Sequence, residues 1–419
     1  MASADMQTDK INDSETEKEP TIGLALSGGG SRAIAFHLGC LRVLHKCGIL
    51  QKINYISAVS GGSIIGAMWA YSSDEFEAFD ERVVRLLKKG LTGSILKEWL
   101  LPPRCIPELF CLLFNLVGKL SFGGIDKLLS AIFRRKIYIS QCRPISRTTA
   151  FRAALRKRLF GRKKLTSVTR EGLKIVINAC ELQTGSGFRF GSKESGCYRR
   201  EFGRIKCNDV EIADAVTASA AYPVLLPTLN PTFTFIQDDK EVRKRVFLTD
   251  GGVYENLGIS CFDPRRPPNL CFNVFTPDYI ICCSAGHGLF DADYMPSWWP
   301  ARMVRAFQTV FRKNQDKGYG WLFSLRRNEE IRDFVLPYLG QQDHRIPEEA
   351  KPEDFVPRED VYKYPTDFSA MKDGDLYKIT KRGEQLTQIS LDTYLPSLCE
   401  KHPGEEETRD PREVPQRRQ

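Results

Sequence analysis

The chain has 419 residues, 42% of them hydrophobic and 27% charged, and a formal net charge of +9. A chain of this length buries a large core, and the balance excludes a mainly disordered or fibrous protein. No segment reaches the roughly 18 apolar residues of a membrane-spanning helix; the best stretch, 105–118, is broken by Pro107, Glu108 and Asn115.

In chain order, residues 1–20 carry six acids and two lysines and read as a disordered acidic tail. They lack the basic and apolar regions of a secretory signal. Residues 21–26 are an apolar strand-like run, 27–32 a glycine loop, and 33–44 an apolar pattern at helical spacing. The same order repeats: Ile53 to Val59 as a strand, Ser60 to Ser63 as a tight turn, Ile64 to Tyr71 as a helix. Two strand–loop–helix units in succession predict a parallel sheet with helices packed on it. Residues 77–160 read as mainly helical, with an apolar part from Ile95 to Phe133.

Leu173 to Ala179 predicts another strand, Phe188–Phe190 and Tyr198–Phe202 a hairpin, and Val210 to Ala221 a helix ending before Pro223. Arg245 to Leu248 reads as a strand running into Thr249-Asp-Gly-Gly252, and Tyr279 to Cys283 as a further buried strand. Arg302 to Arg312 has an amphipathic helical pattern, 340–380 is loop-rich, Thr380 to Tyr394 holds a last helix, and the end of the chain is a second charged tail.

Charge is placed unevenly. Residues 134–170 hold thirteen Lys and Arg and no acid, which suits either an anionic partner or a solvated helix face. The thirteen cysteines, from Cys40 to Cys399, include no CxxC pair, and Cys282 and Cys283 stand at poor zinc spacing from His287. They read as buried thiols of an intracellular, cytoplasmic protein with no structural metal.

Three clusters carry candidate chemistry, each at the end of a strand-like run, where open α/β sheets place their sites. In Ser27-Gly28-Gly29-Gly30-Ser31-Arg32 the glycines let the backbone turn and present N–H groups at a helix start. That loop suits a nucleotide phosphate, an acyl-transfer oxyanion, or a plain tight turn. A P-loop lysine is missing, and Ala33 stands where GxGxxG needs glycine. Ala58-Val59-Ser60-Gly61-Gly62 approximates the G-x-S-x-G elbow that lifts a serine hydroxyl off a strand-to-helix turn, or else is a glycine-rich turn with a capping serine. Asp250-Gly251-Gly252 puts a carboxylate at a tight turn after a strand, which is also the commonest use of Asp-Gly.

Taken together, in this order and over Thr21 to Ile259, these motifs resemble the patatin-like phospholipase family, which includes the cytosolic phospholipases A2. The family's motif positions fall on Gly28, Gly29, Gly30 and Arg32, on Ser60 with Gly62, and on Asp250 with Gly251, Gly252 and Asn256. Ala218-Ser-Ala-Ala-Tyr-Pro223 looks like the family's small-residue helix before a proline, while Ala33 and Ala58 stand where other members carry glycine. The resemblance implies a three-layer α/β/α sandwich with a mostly parallel central sheet, spanning about residues 21–400, with a helical, basic insertion over 77–170.

It also implies a Ser60–Asp250 dyad cleaving fatty-acyl esters of glycerophospholipids through an acyl-enzyme, without a cofactor or metal. Backbone N–H groups of the Gly28–Gly30 loop and Gly61 would hold the oxyanion, Arg32 the substrate phosphate, and Gly62, Gly251, Gly252 and Asn256 would support the site. The expected partners are a phospholipid or lysophospholipid and an anionic membrane surface, gripped by 95–170 and by Trp298-Trp299 beside Pro300 and Arg302. No nucleic-acid module is recognisable. The alternatives are a lysophospholipase or neutral-lipid lipase on the same dyad, or a catalytically silent lipid-binding scaffold. A rival Ser60–Asp250–His287 triad follows α/β-hydrolase order, but Asp250 stands in the dyad motif, and His287 is read as a loop residue.

Overall fold

The computed structural model describes residues 19–100, 146–197, 202–223, 225–237, 239–267, 270–288 and 297–399. Residues 1–18 and 400–419 of the tails and most of the apolar segment Ile95–Phe133 lie outside these residues, as does the start of the basic run. So does most of the second arm expected for the hairpin, Tyr198–Phe202.

The parallel half of the sheet is built from β1 (Ile22–Leu26), β2 (Ile53–Val59) and β3 (Lys174–Glu181). Next come antiparallel strands: β4 (Ser186–Gly191), β5 (Ser195–Gly196), β6 (Arg204–Ile205), β7 (Thr232–Gln237) and β8 (Lys240–Arg245). β9 (Leu248–Asp250), β10 (Tyr279–Cys283) and β11 (Asp333–Val335) complete the set. The order is β11-β10-β1-β2-β3-β4-β5-β6-β7-β8, with β9 on β3. Strands β11 to β3 are parallel neighbours, and the pairings from β4 to β8 are antiparallel. Thus the central strands are parallel, as expected, and an antiparallel wing extends one side.

The helices are α1 (Gly30–Lys46), α2 (Gly61–Ala70), α3 (Phe76–Lys89), α4 (Thr92–Leu100), α5 (Arg147–Leu155), α6 (Ile212–Ser219), α7 (Trp299–Arg327) and α8 (Asp373–Tyr394). Alternation along the strands fixes two covered faces. Leu24, Leu26, Ile175, Ile177, Ile281 and Cys283 join the core under α1, α2, α3 and α8. Their neighbours Ala25, Val176, Ile280 and Cys282 join a second core with Leu322 and Leu325 of α7 and with Leu257 to Phe262. This is a three-layer α/β/α arrangement.

Helix α1 is buried on nearly every side and crosses α8 where Gly39 meets Thr380 O and Gly383 meets Phe36 O. Three readings need revision. Helices α7 and α8 begin earlier than expected, and α7 also runs much further. The stretch from Arg245 to Asp250 is two strands rather than one, because Val246 N–H turns aside to Pro231 O. β4 pairs with the short β5 at Arg189–Gly196 and Phe190–Ser195.

Candidate active site

Register places the serine and the aspartate. β2 pairs with β3 as far as Val59–Asn178 and then ends. On the same edge of β3, one residue further, β9 takes over with Ala179–Asp250. The residue after β2 is Ser60, so the end of β9 brings Asp250 to the point where the chain turns from β2 into α2.

Ser60 has φ 51° and ψ −120°, a left-handed conformation that costs a non-glycine residue about 1–3 kcal/mol and is held only by its surroundings. Its N–H donates to Ser219 Oγ of α6 at 2.9 Å. Its carbonyl accepts from Ser63 N–H at 2.9 Å and Ser63 Oγ at 2.6 Å. The sequence carries Ser219 within the small-residue helix, but nothing in the spacing ties it to a turn 159 residues away.

Asp250 is 4% exposed. Burial pushes its carboxyl up to about 7, opposed by hydrogen bonding with the Ser60 hydroxyl and with the Gly252 N–H. The latter donates to Oδ1 at 2.8 Å, and Asp250 N–H is anchored on Ala221 O at 3.0 Å. Among the described residues no cation forms an ion pair with Asp250, so its negative form depends on these donors.

Two helix N-termini meet here. A Cβ on Gly61, the first residue of α2, would collide with the carbonyl oxygen of Gly30, the first residue of α1, and lie 2.9 Å from its nitrogen. Gly29 and Gly30 have φ of 147° and 60°. First-turn N–H groups have no partner within their own helix, and among the described residues no acceptor is seen for those of Gly29, Gly30 and Gly61. They form a compact set of donors beside Ser60.

Gly28 departs from expectation. Its N–H, expected among the oxyanion donors, donates instead to Asn256 O at 3.1 Å and so is spent, unlike those of Gly29, Gly30 and Gly61. Gly28 instead allows close packing, since a Cβ there would lie 3.1 Å from Ser60 Cβ and clash with Asn256 Oδ1. The same Oδ1 crowds Gly252 at 2.7 Å, Gly62 lies under the carbonyls of Leu26 and Ser27, and Gly251 under Asn178 O. These residues hold the serine and aspartate loops against each other.

Arg32 is almost wholly buried. Its Nε donates to Ala285 O at 3.0 Å and its Nη1 to Tyr364 O at 2.7 Å. Nη1 also donates to His287 Nε2 at 2.6 Å, while His287 Nδ1–H donates to Tyr362 O at 2.5 Å. Burial and the Arg32 charge push His287 down to about 3, and burial pushes Arg32 down to about 9. Nη2 lies against Gly29. With Nε and Nη1 engaged, the arginine ties the glycine loop to 285–287 and 362–364. His287 is committed to the same network, which leaves the triad reading without its histidine.

The far side of the site is covered by α7, whose Phe311 ring lies 2.7 Å from where Gly252 would carry a Cβ and whose Phe307 packs on Tyr222. Among the described residues one group, His37, Cys40 and Cys283, brings three ligand-type atoms within 4.8 Å of one another, all buried. His37 Nε2–H there donates to Ser27 O at 2.9 Å.

The parallel sheet thus ends in a glycine loop, a strained serine and a buried carboxylate held side by side. A family model described as patatin-like phospholipase matches residues 24–262, more than half of the chain, and the chain belongs to that family. Among solved structures it is similar to human GIVD cytosolic phospholipase A2, at 16% identity and a TM-score of 0.49 over 90% of this chain and 59% of that one. It is also similar to VipD from Legionella pneumophila (12%, 0.38, 90% and 67%) and to the type III effector ExoU (15%, 0.31, 90% and 53%). The chain thus spans about three fifths of the length of the human enzyme. No match was found among curated proteins.

Proposed function

We infer that the chain is a serine lipid acyl hydrolase cleaving fatty-acyl esters of glycerophospholipids with Ser60 as nucleophile and Asp250 as general base. The observation that carries this reading is the meeting of a strained serine and a buried carboxyl poised near neutrality, beside two helix N-termini. Asp250 takes the Ser60 proton as Oγ adds to the ester carbonyl. Backbone N–H groups of Gly29, Gly30 and Gly61 then receive the oxyanion; one such donor is typically worth about a hundred- to a thousandfold in rate. The proton on Asp250 passes to the departing lysophospholipid oxygen. Water gives a proton to Asp250 as it attacks the acyl-enzyme, and Asp250 returns that proton to Ser60 Oγ as the fatty acid leaves, which restores both groups.

The substrate sits at an anionic membrane surface, which the enzyme meets peripherally from the cytoplasm. A fluorophosphonate probe, together with fatty-acid release from mixed phospholipid vesicles, tests the reading. Labelling and release by the wild type, both lost in Ser60→Ala, support it. Labelling that survives Ser60→Ala overturns the assignment of the nucleophile, and release from lysophospholipid alone narrows the substrate to that class.

A further inference from the structure

The basic run and the tryptophan pair are both candidates for the membrane-facing surface, and the structure separates them. Over 146–170, the described part of the run, the charge is largely answered within the protein. Arg156 pairs with Glu211 at 2.7 Å, Lys164 with Asp209 at 3.0 Å, Lys157 with Glu98 at 3.3 Å and Arg152 with Asp214 at 3.6 Å. Arg158 donates to Gly90 O and Lys163 to Tyr71 O, while Arg170 lies over the Trp69 ring.

Helix α7 is different. Across Trp299–Arg327 it carries seven Lys and Arg against one acid, Asp316. Its N-terminal half exposes large apolar side chains: Trp298 69%, Trp299 66%, Met303 62% and Val310 69%. At 3.6 residues per turn, Trp299, Met303 and Val310 fall within about 40° of arc. The exposed Arg302, Lys313 and Lys317 stand on or beside that stripe. The adjoining, protein-facing side of the helix, about 60–100° round from the middle of that stripe, packs Phe307 on Tyr222 and Phe311 on Gly252, next to Asp250.

We propose that the N-terminal half of α7 is the membrane-docking face, with Trp298, Trp299, Met303 and Val310 entering an anionic phospholipid surface and Arg302, Lys313 and Lys317 meeting its headgroups. An amphipathic helix with aromatic and aliphatic side chains beside cations lies in the plane of a bilayer in this way. The charge complements an anionic surface, and a helix that packs directly on the Asp250 loop sets that surface beside the ester-cleaving site. The proposal rests on the lipid-hydrolase reading, whose test is independent of it.

The experiment measures partition of the full chain onto phosphatidylcholine vesicles with and without phosphatidylglycerol. It compares Trp298→Ser/Trp299→Ser/Met303→Ser, Arg302→Glu/Lys313→Glu/Lys317→Glu, and the control Lys157→Glu/Arg162→Glu. Cleavage of a soluble monomeric ester and light-scattering mass are read on each. Both α7 variants are expected to lose at least about tenfold in partition onto anionic vesicles, while the control binds like the wild type and the soluble ester is cleaved equally by all. Unchanged partition of the α7 variants overturns the proposal, as does equal loss in the control. So does a concentration-dependent dimer that the serine variant dissolves, because the stripe would then be covered by a second copy. A wild type that cleaves no ester counts against the hydrolase reading alone, and partition still decides the docking face.

Discussion

Two buried polar clusters flank the glycine loop, and they are built to opposite specifications. On one side, Arg32 and His287 consume each other's hydrogen-bonding capacity and that of Ala285, Tyr362 and Tyr364. On the other, Asp250 is buried with no neutralising cation among the described residues, and Ser60 is held in a conformation that serine disfavours. A satisfied buried network stabilises structure, whereas an under-compensated carboxyl beside a strained hydroxyl is where chemistry is expected. Arg32, Ser60 and Asp250 all stand at positions that the family resemblance marks as functional, whereas His287 reads as a loop residue in the sequence, and the surroundings of the arginine and of the dyad pair differ in kind.

The largest effect separating the clusters is on turnover. Ser60→Ala is expected to lower acyl release by at least about a thousandfold with little change in stability, while Arg32→Ala keeps probe labelling per folded molecule. Next comes stability: Arg32→Ala leaves the carbonyls of Ala285 and Tyr364 without their donor and is expected to cost about 2–4 kcal/mol in urea unfolding. Loss of labelling in folded Arg32→Ala would instead put the arginine in the reaction.

The pH dependence of stability is expected to differ in sign. His287 is held neutral, with its folded value near 3 against an ordinary 6.5. Its contribution is therefore complete above about 6.5 and lost as pH falls toward 3. Asp250 is raised from an ordinary 3.8 to about 7. Its penalty therefore grows as pH rises between these values and is constant above them. Asp250→Asn is expected to flatten the second trend and leave the first, as measured by melting temperature across pH. The smallest effect is local: Ser60→Gly, inactive, is expected to gain about 1 kcal/mol by releasing the φ 51° strain. A loss of stability would show that the turn is not strained.

Much of this was legible in sequence, for identifiable reasons. The apolar strand runs and the helical spacing of 33–44 encode β1, α1, β2, α2, β3 and β10 locally, and short motifs mark Ser60, Asp250 and the glycines. What escaped was decided by distant contacts. The spent N–H of Gly28 depends on Asn256 O, and the turn at Ser60 depends on Ser219. The engagement of Arg32 Nε and Nη1 depends on carbonyls more than 250 residues away. The short strands β5, β6 and β11 have too few residues to show a period of two, and the β7–β8 hairpin is partly exposed and polar.

The central claim is that Asp250 is the base for Ser60, and the most direct measurement is the rate of fluorophosphonate labelling as a function of pH in the wild type and in Asp250→Asn. The account predicts a wild-type rate that rises through about pH 7 as Asp250 loses its proton, and a variant at least about a hundredfold slower with no such inflection. The same inflection and a similar rate in Asp250→Asn would show that another group activates Ser60.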